Sequence, residues 1–68
     1  MKLLDVVALI QDLPEAHLEK GQVGTIVEEL DNDTVLVEFA DLNGMAYAIV
    51  PVAMVWLMQL KHGTALAA

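Results

Sequence analysis

Apolar residues along this chain recur with a period of two more clearly than with the helical period. The stretch TVLVEFA (Thr34–Ala40) sets Val35, Val37 and Phe39 on one face and Thr34, Leu36 and Glu38 on the other, the alternation of a strand with one buried side. VGTIVEEL (Val23–Leu30) reads as the preceding strand. Its adjacent Glu28 and Glu29 occupy opposite faces, so one points to the wrong side unless the strand ends or bulges there; an end is the preferred reading. LLDVVALI (Leu3–Ile10) fits either an amphipathic helix or a strand, and the Val6–Val7 pair favours a strand. In MAYAIV (Met45–Val50), Met45, Tyr47 and Ile49 share one side and only Ala46, Ala48 and Val50 the other. PVAM then makes a tight corner into a last strand, VWLMQL, with Trp56 and Met58 on one face and Val55 and Leu57 on the other.

The punctuation between these segments is equally informative. In DLPEAHLEKG, Pro14 suits a first helical position, Glu15 the positive end, Lys20 the negative end and Gly21 the residue just past a helix. One or two helical turns inside a long first loop satisfy all four, and Gly21 is expected to close them with a positive φ. Gly24 stands where a strand begins, where a missing side chain permits a bulge or a close backbone approach. LDNDT turns the chain, with Asn32 tolerant of the left-handed region. Asn43-Gly44 is a strong signal for a two-residue hairpin turn. Five short strands, a long first loop, two tight hairpins and a corner before the last strand predict an all-β fold. Its arrangement is a small five-stranded SH3-like barrel over residues 1–60, with 61–68 a flexible tail.

Composition then bears on association. The chain has 68 residues, 57% of them hydrophobic, against a globular norm of roughly 45–50%. A domain so small has a high surface-to-volume ratio, so the excess needs somewhere to hide, and a subunit interface is the economical place. The charge is −7, from ten acidic residues against three lysines with no arginine. Nucleic-acid binding draws on phosphate neutralisation by Lys and Arg, so nucleic acid is excluded as a partner, and an anionic membrane surface for the same reason. The one membrane suspect, Met45–Leu60, is shorter than the roughly twenty residues of a span and is interrupted by Pro51. No secretion signal is legible at the start, and a cytoplasmic location is expected.

Candidate chemistry is sparse. The chain contains neither Ser nor Cys, and Thr25, Thr34 and Thr64 have no histidine at a partner spacing. His17 and His62 are scattered and read as solvated surface residues, not metal ligands. Glu28 and Glu29, on opposite faces, cannot form a carboxylate pair for acid–base work. No catalytic, cofactor-binding or metal-binding residue is expected, and the chain reads as a non-enzyme. The remaining signal is apolar: Val50, Pro51, Val52, Met54, Val55, Trp56, Leu57 and Met58 make a run rich in Trp and Met, residues enriched in interface cores.

Beyond these patterns, LLDVVALIQDLPEAHLEKGQVGTIVEEL, then VLVEFADLNGMAYAIVPV and a terminal strand, resembles the small bacterial domain-of-unknown-function 4926 family over roughly Leu3 to Leu60. The most specific pieces are DVVAL, LPE, GQVGTIVE and VEFADLNG. The resemblance implies an SH3-like fold and no catalytic residue, cofactor or established activity. AMVWLMQL departs from the family toward apolar residues. KGQVGTIV also echoes a glycine-centred strand motif of RNA-associated SH3-like domains, but Glu28 and Glu29 follow it, so the echo is one of turn geometry. Two functions follow as expectations. The first is an assembly module that self-associates, most simply as a dimer, and docks a partner protein. The alternative is an acidic immunity- or antitoxin-type neutraliser of a basic enzyme.

Overall fold

Five antiparallel strands form one sheet in the computed structural model, which describes residues 1–40 and 45–60. They are β1 (Val6–Leu9), β2 (Val23–Glu29), β3 (Thr34–Ala40), β4 (Ala46–Ala53) and β5 (Leu57–Gln59), in the spatial order β4-β3-β2-β1-β5. Successive strands pair from β1 to β4, and β5 returns to lie against β1. One 3-10 turn, Pro14–Ala16, sits in the long β1–β2 connection, and a second, Met54–Trp56, leads into β5. The fold is all-β, with the short helical turn in the first loop as expected. Its strand order is consistent with an SH3-like arrangement.

Alternation delivers the core. Val35, Val37 and Phe39 of β3 are fully buried, as their period-two spacing predicts. Val7 and Leu9 of β1, Ile26 of β2, Val52 of β4, Leu57 of β5 and Leu18 of the first loop join them. Gly24 lies in register between Val7 and Phe39. A Cβ there would stand 2.6 Å from Val37 Cγ1 and 2.9 Å from both the Glu38 carbonyl oxygen and Phe39 Cδ1. The expected close approach is therefore real: glycine leaves the space that the β3 side chains fill.

Local structure departs from the sequence pattern at several points. β1 begins at Val6, not Leu3, because Leu4 takes a positive φ of 70° and turns the chain. Its N–H donates to the Ile26 carbonyl at 2.7 Å. The helical turn ends at His17, which adopts the left-handed conformation and donates its N–H to the Pro14 carbonyl. Gly21 does have a positive φ, 93°, but it serves a separate turn in which its N–H donates to the Leu9 carbonyl at 2.8 Å. Lys20, beyond the turn, donates its backbone N–H to Asp12 Oδ1 instead of facing a helix end. Asn32 is not left-handed; Leu30 and Asp31 N–H groups both donate to the Thr34 carbonyl, and Asp33 N–H donates to Asp31 Oδ1.

The two glutamates are accommodated by a bulge at the strand's end. The β2–β3 register shifts between Ile26 and Glu28, leaving Val27 as the extra residue, and both Glu28 and Glu29 are exposed. The corner is misplaced in the sequence reading too. β4 runs straight through Pro51, opposite Leu36, and the chain turns at Met54–Trp56. Pro51 is tolerated because β4 pairs only with β3, so one side of the strand needs no ladder donors. The Met54 N–H donates to the Asp33 carbonyl at 2.8 Å, which pins the turn to the β2–β3 connection. The expected Asn43-Gly44 hairpin turn and the 61–68 tail lie outside the described residues.

Gly21 offers a clean test of backbone conformation. An added Cβ would meet nothing within 4 Å, so Gly21→Ala isolates the cost of a positive φ. We expect a loss of about 1 kcal/mol in chemical denaturation. A midpoint that does not move would mean that this turn can relax to a negative φ.

Candidate functional site

The long connection between β1 and β2 folds back over the sheet and builds one wall of a groove. Leu13 and Leu18 exchange backbone hydrogen bonds, 2.8 Å from Leu13 N–H to Leu18 O and 3.1 Å in the reverse direction, closing the 3-10 turn between them. Pro14 supplies the fixed φ that starts this turn. Leu18, 2% exposed, is the only fully buried residue of the connection from Ile10 to Gln22 and anchors it in the core.

The groove has a volume of 390 Å³. Leu13, Pro14 and Ala16 line it from the loop, and Val50, Pro51 and Trp56 from β4 and the second 3-10 turn. Gln11, Asp12 and Glu15 stand at its polar side. Pro14, Pro51 and Trp56 are all exposed, so the groove is a wet surface feature with an apolar lining. Two carboxylates and no cation belong to it.

A second apolar feature runs across the outward face of the sheet. Val7 and Leu9 point into the core, so Ala8 points out, and it pairs with Val23 on one side and Met58 on the other. Val23 and Met58 are each about half exposed, while Ala8 between them is 7% exposed, shielded by its larger neighbours. Ile10, exposed, donates its N–H to the Trp56 carbonyl and brings the row up to the Met54–Trp56 turn, where Val55 is 76% exposed.

The eight residues expected to form one interface therefore separate. Val52 and Leu57 are core residues and are withdrawn as surface candidates, since β4 continues inward-facing through Val52 and the 3-10 turn delivers Leu57 to the inside. Val50 and Met54 are half-buried and pack against the core. Pro51 and Trp56 line the groove, and Val55 and Met58 are exposed. Trp56 and Val55 do not alternate on a strand at all; both belong to the turn. Sequence reasoning missed the loop wall, Asp12 to Ala16, which nothing local connects to Trp56. It also missed Ile10 and Val23, although the two-sided apolar character of LLDVVALI signalled a strand with an apolar outer face.

Chemically the groove offers apolar side chains with Asp12 and Glu15 beside them, and the outward row offers apolar side chains alone. Among the described residues no polar or charged side chain is buried, and no three His, Cys, Asp or Glu residues cluster in a way that could hold a metal ion. No helix among them is long and apolar enough to cross a membrane. Neither the curated proteins nor the solved structures include a match to this chain. The family comparison does match, over nearly the whole described fold: residues 3–59 fit the model of a domain of unknown function, and the chain belongs to that family, DUF4926.

Proposed function

We propose that this protein is a non-catalytic interaction module that self-associates, most simply as a two-fold dimer, and docks a second protein. The observation that carries the reading is the distribution of large apolar side chains. Among the described residues nine hydrophobic residues form the buried core, and ten large hydrophobic residues are exposed. Four of the latter, Ile10, Val23, Val55 and Met58, belong to the outward row and its neighbouring turn. All four are uncharged, and Glu38, in register with Thr25, stands to the side of the row on the same face. Covering a large apolar side chain gains roughly 1.5–3 kcal/mol, and a two-fold contact counts each residue twice. That sum can outweigh the cost of association, which runs from about 4 kcal/mol upward.

Light scattering at tens of micromolar tests this directly. The unmodified chain is expected at twice its chain mass, and the double variant Val55→Lys/Met58→Lys at the mass of one chain with an unchanged circular dichroism spectrum. A monomeric unmodified chain would remove self-association from the reading.

A second reading is supported by charge. With −7 on 68 residues and no arginine, the protein suits a basic partner, as an immunity- or antitoxin-type neutraliser of a basic enzyme would. Either role fits a bacterial cytoplasm, where a cysteine-free chain forgoes nothing.

A further inference from the structure

We propose that the groove between the first loop and the β4–β5 corner is a docking site for an extended cationic segment of a partner protein. An apolar residue of that segment seats against Pro51 and Trp56, and its arginine or lysine lies beside Asp12 and Glu15. The inference rests on the reading of the protein as an interaction module and is independent of pairing with a second copy.

Charge complementarity selects the occupant. The lining contains Asp12 and Glu15 and no cation, on a chain with ten acidic residues and three lysines. An acidic segment would be repelled, and a purely apolar one would leave the carboxylates beside a dry surface without a partner. A guanidinium or ammonium can meet those carboxylates by charge-assisted hydrogen bonds, and a guanidinium can also stack on the indole face of Trp56. Asp12 already accepts the Lys20 backbone N–H through Oδ1, which holds its carboxylate in position while leaving acceptor capacity free.

The two prolines select the mode. Pro14 and Pro51, on opposite walls, have no N–H to offer, so the groove cannot zip an incoming strand onto a continuous ladder. Recognition must come from side chains: rigid apolar surfaces at Leu13, Pro14, Pro51 and Trp56 with a charged rim. An extended segment matches this, because its alternate side chains can reach the apolar floor and the acidic rim in turn. The wall is also preformed. The Leu13–Leu18 bonds and the buried Leu18 hold the loop before any ligand arrives, which lowers the ordering cost of binding.

The test is a nuclear magnetic resonance titration of isotope-labelled protein with a synthetic decapeptide of leucine, proline and arginine, beside a version with glutamate in place of arginine. We expect saturable shifts confined to the amides of residues 11–13, 15, 16 and 50 and the Trp56 indole, with the arginine peptide only. Glu15→Lys should weaken binding about tenfold, or one step of about 1.4 kcal/mol. Glu29→Lys changes the net charge equally but lies outside the groove lining, and should change affinity less than about twofold, as expected of a screened exposed charge. The Val55→Lys/Met58→Lys variant should bind the arginine peptide like the unmodified chain. Equal weakening by both single lysine variants, equal binding of the glutamate peptide, or no saturable shift would each overturn the proposal. So would movement of the same signals on dilution of the protein alone, which would make a second copy the occupant. A failed titration on a chain that light scattering finds dimeric overturns the groove's role and leaves self-association standing.

Discussion

Replacing Gly24 with alanine is expected to destabilise the fold by about 3 kcal/mol, and with valine to prevent folding. The alanine Cβ would lie 2.6 Å from Val37 Cγ1 and 2.9 Å from Phe39 Cδ1, both side chains fully buried in the core. The third contact, 2.9 Å to the Glu38 carbonyl oxygen, is with backbone that is held in the β2–β3 ladder. Relief would require the two strands to part. Overpacking of this kind costs about 1–3 kcal/mol and more when backbone must move, whereas the entropy gained in the unfolded chain on losing a glycine returns only about 0.4–1 kcal/mol. The clash wins. Because an unstapled core of this size rarely supplies more than about 3–5 kcal/mol, the alanine variant should be left marginally stable, with a far lower melting temperature. A thermal melt checks it; a melting temperature within two or three degrees of the parent would mean that the strands separate at little cost.

Leu18→Ala is expected to cost about 2–5 kcal/mol, the range for truncating a buried leucine, and to act on the groove as well as the core. Leu18 is 2% exposed, while every other residue from Ile10 to Gln22 is exposed or half-buried. Without its anchor the loop keeps the reciprocal Leu13–Leu18 backbone bonds but loses what holds them against the sheet. Hydrogen exchange at the Leu13 and Leu18 amides should accelerate more than exchange in β3, and Trp56 fluorescence should change as the opposite wall of its groove loosens. A variant that melts lower with uniform acceleration of exchange would place Leu18 in the general core and remove its specific role in the loop. Leu13→Ala, half-buried beside it, should cost less.

How much of this was legible in the chain depends on the range of the cause. The alternation of Val35, Val37 and Phe39 placed their burial correctly, because period two follows from strand geometry alone. Pro14 marked the start of the 3-10 turn, and Gly24 marked a close approach, since each residue carries a local conformational rule wherever it stands. His17 was not readable as the turn's end: a histidine adopts the left-handed region only where bonds such as its N–H to the Pro14 carbonyl hold it there. Pro51 misled because the rule that proline breaks strands lapses on a strand paired along one side, and pairing is not a local property.

The candidate site lies at the far end of that scale. By itself the sequence determined the all-β class, the inward face of β3, the first helical turn, the acidic charge and the apolar excess near the C-terminal strand. Only the tertiary structure divided that excess, sending Val52 and Leu57 into the core, Pro51 and Trp56 to the groove and Val55 and Met58 to the outside. It also brought Asp12, Leu13 and Pro14 across from the first loop to face them. The physical reason is that burial belongs to a closed arrangement of strands. The 3-10 turn Met54–Trp56, tied to the β2–β3 connection by the Met54 N–H bond to the Asp33 carbonyl, comes between β4 and β5, and it decides which side of the sheet each following residue occupies.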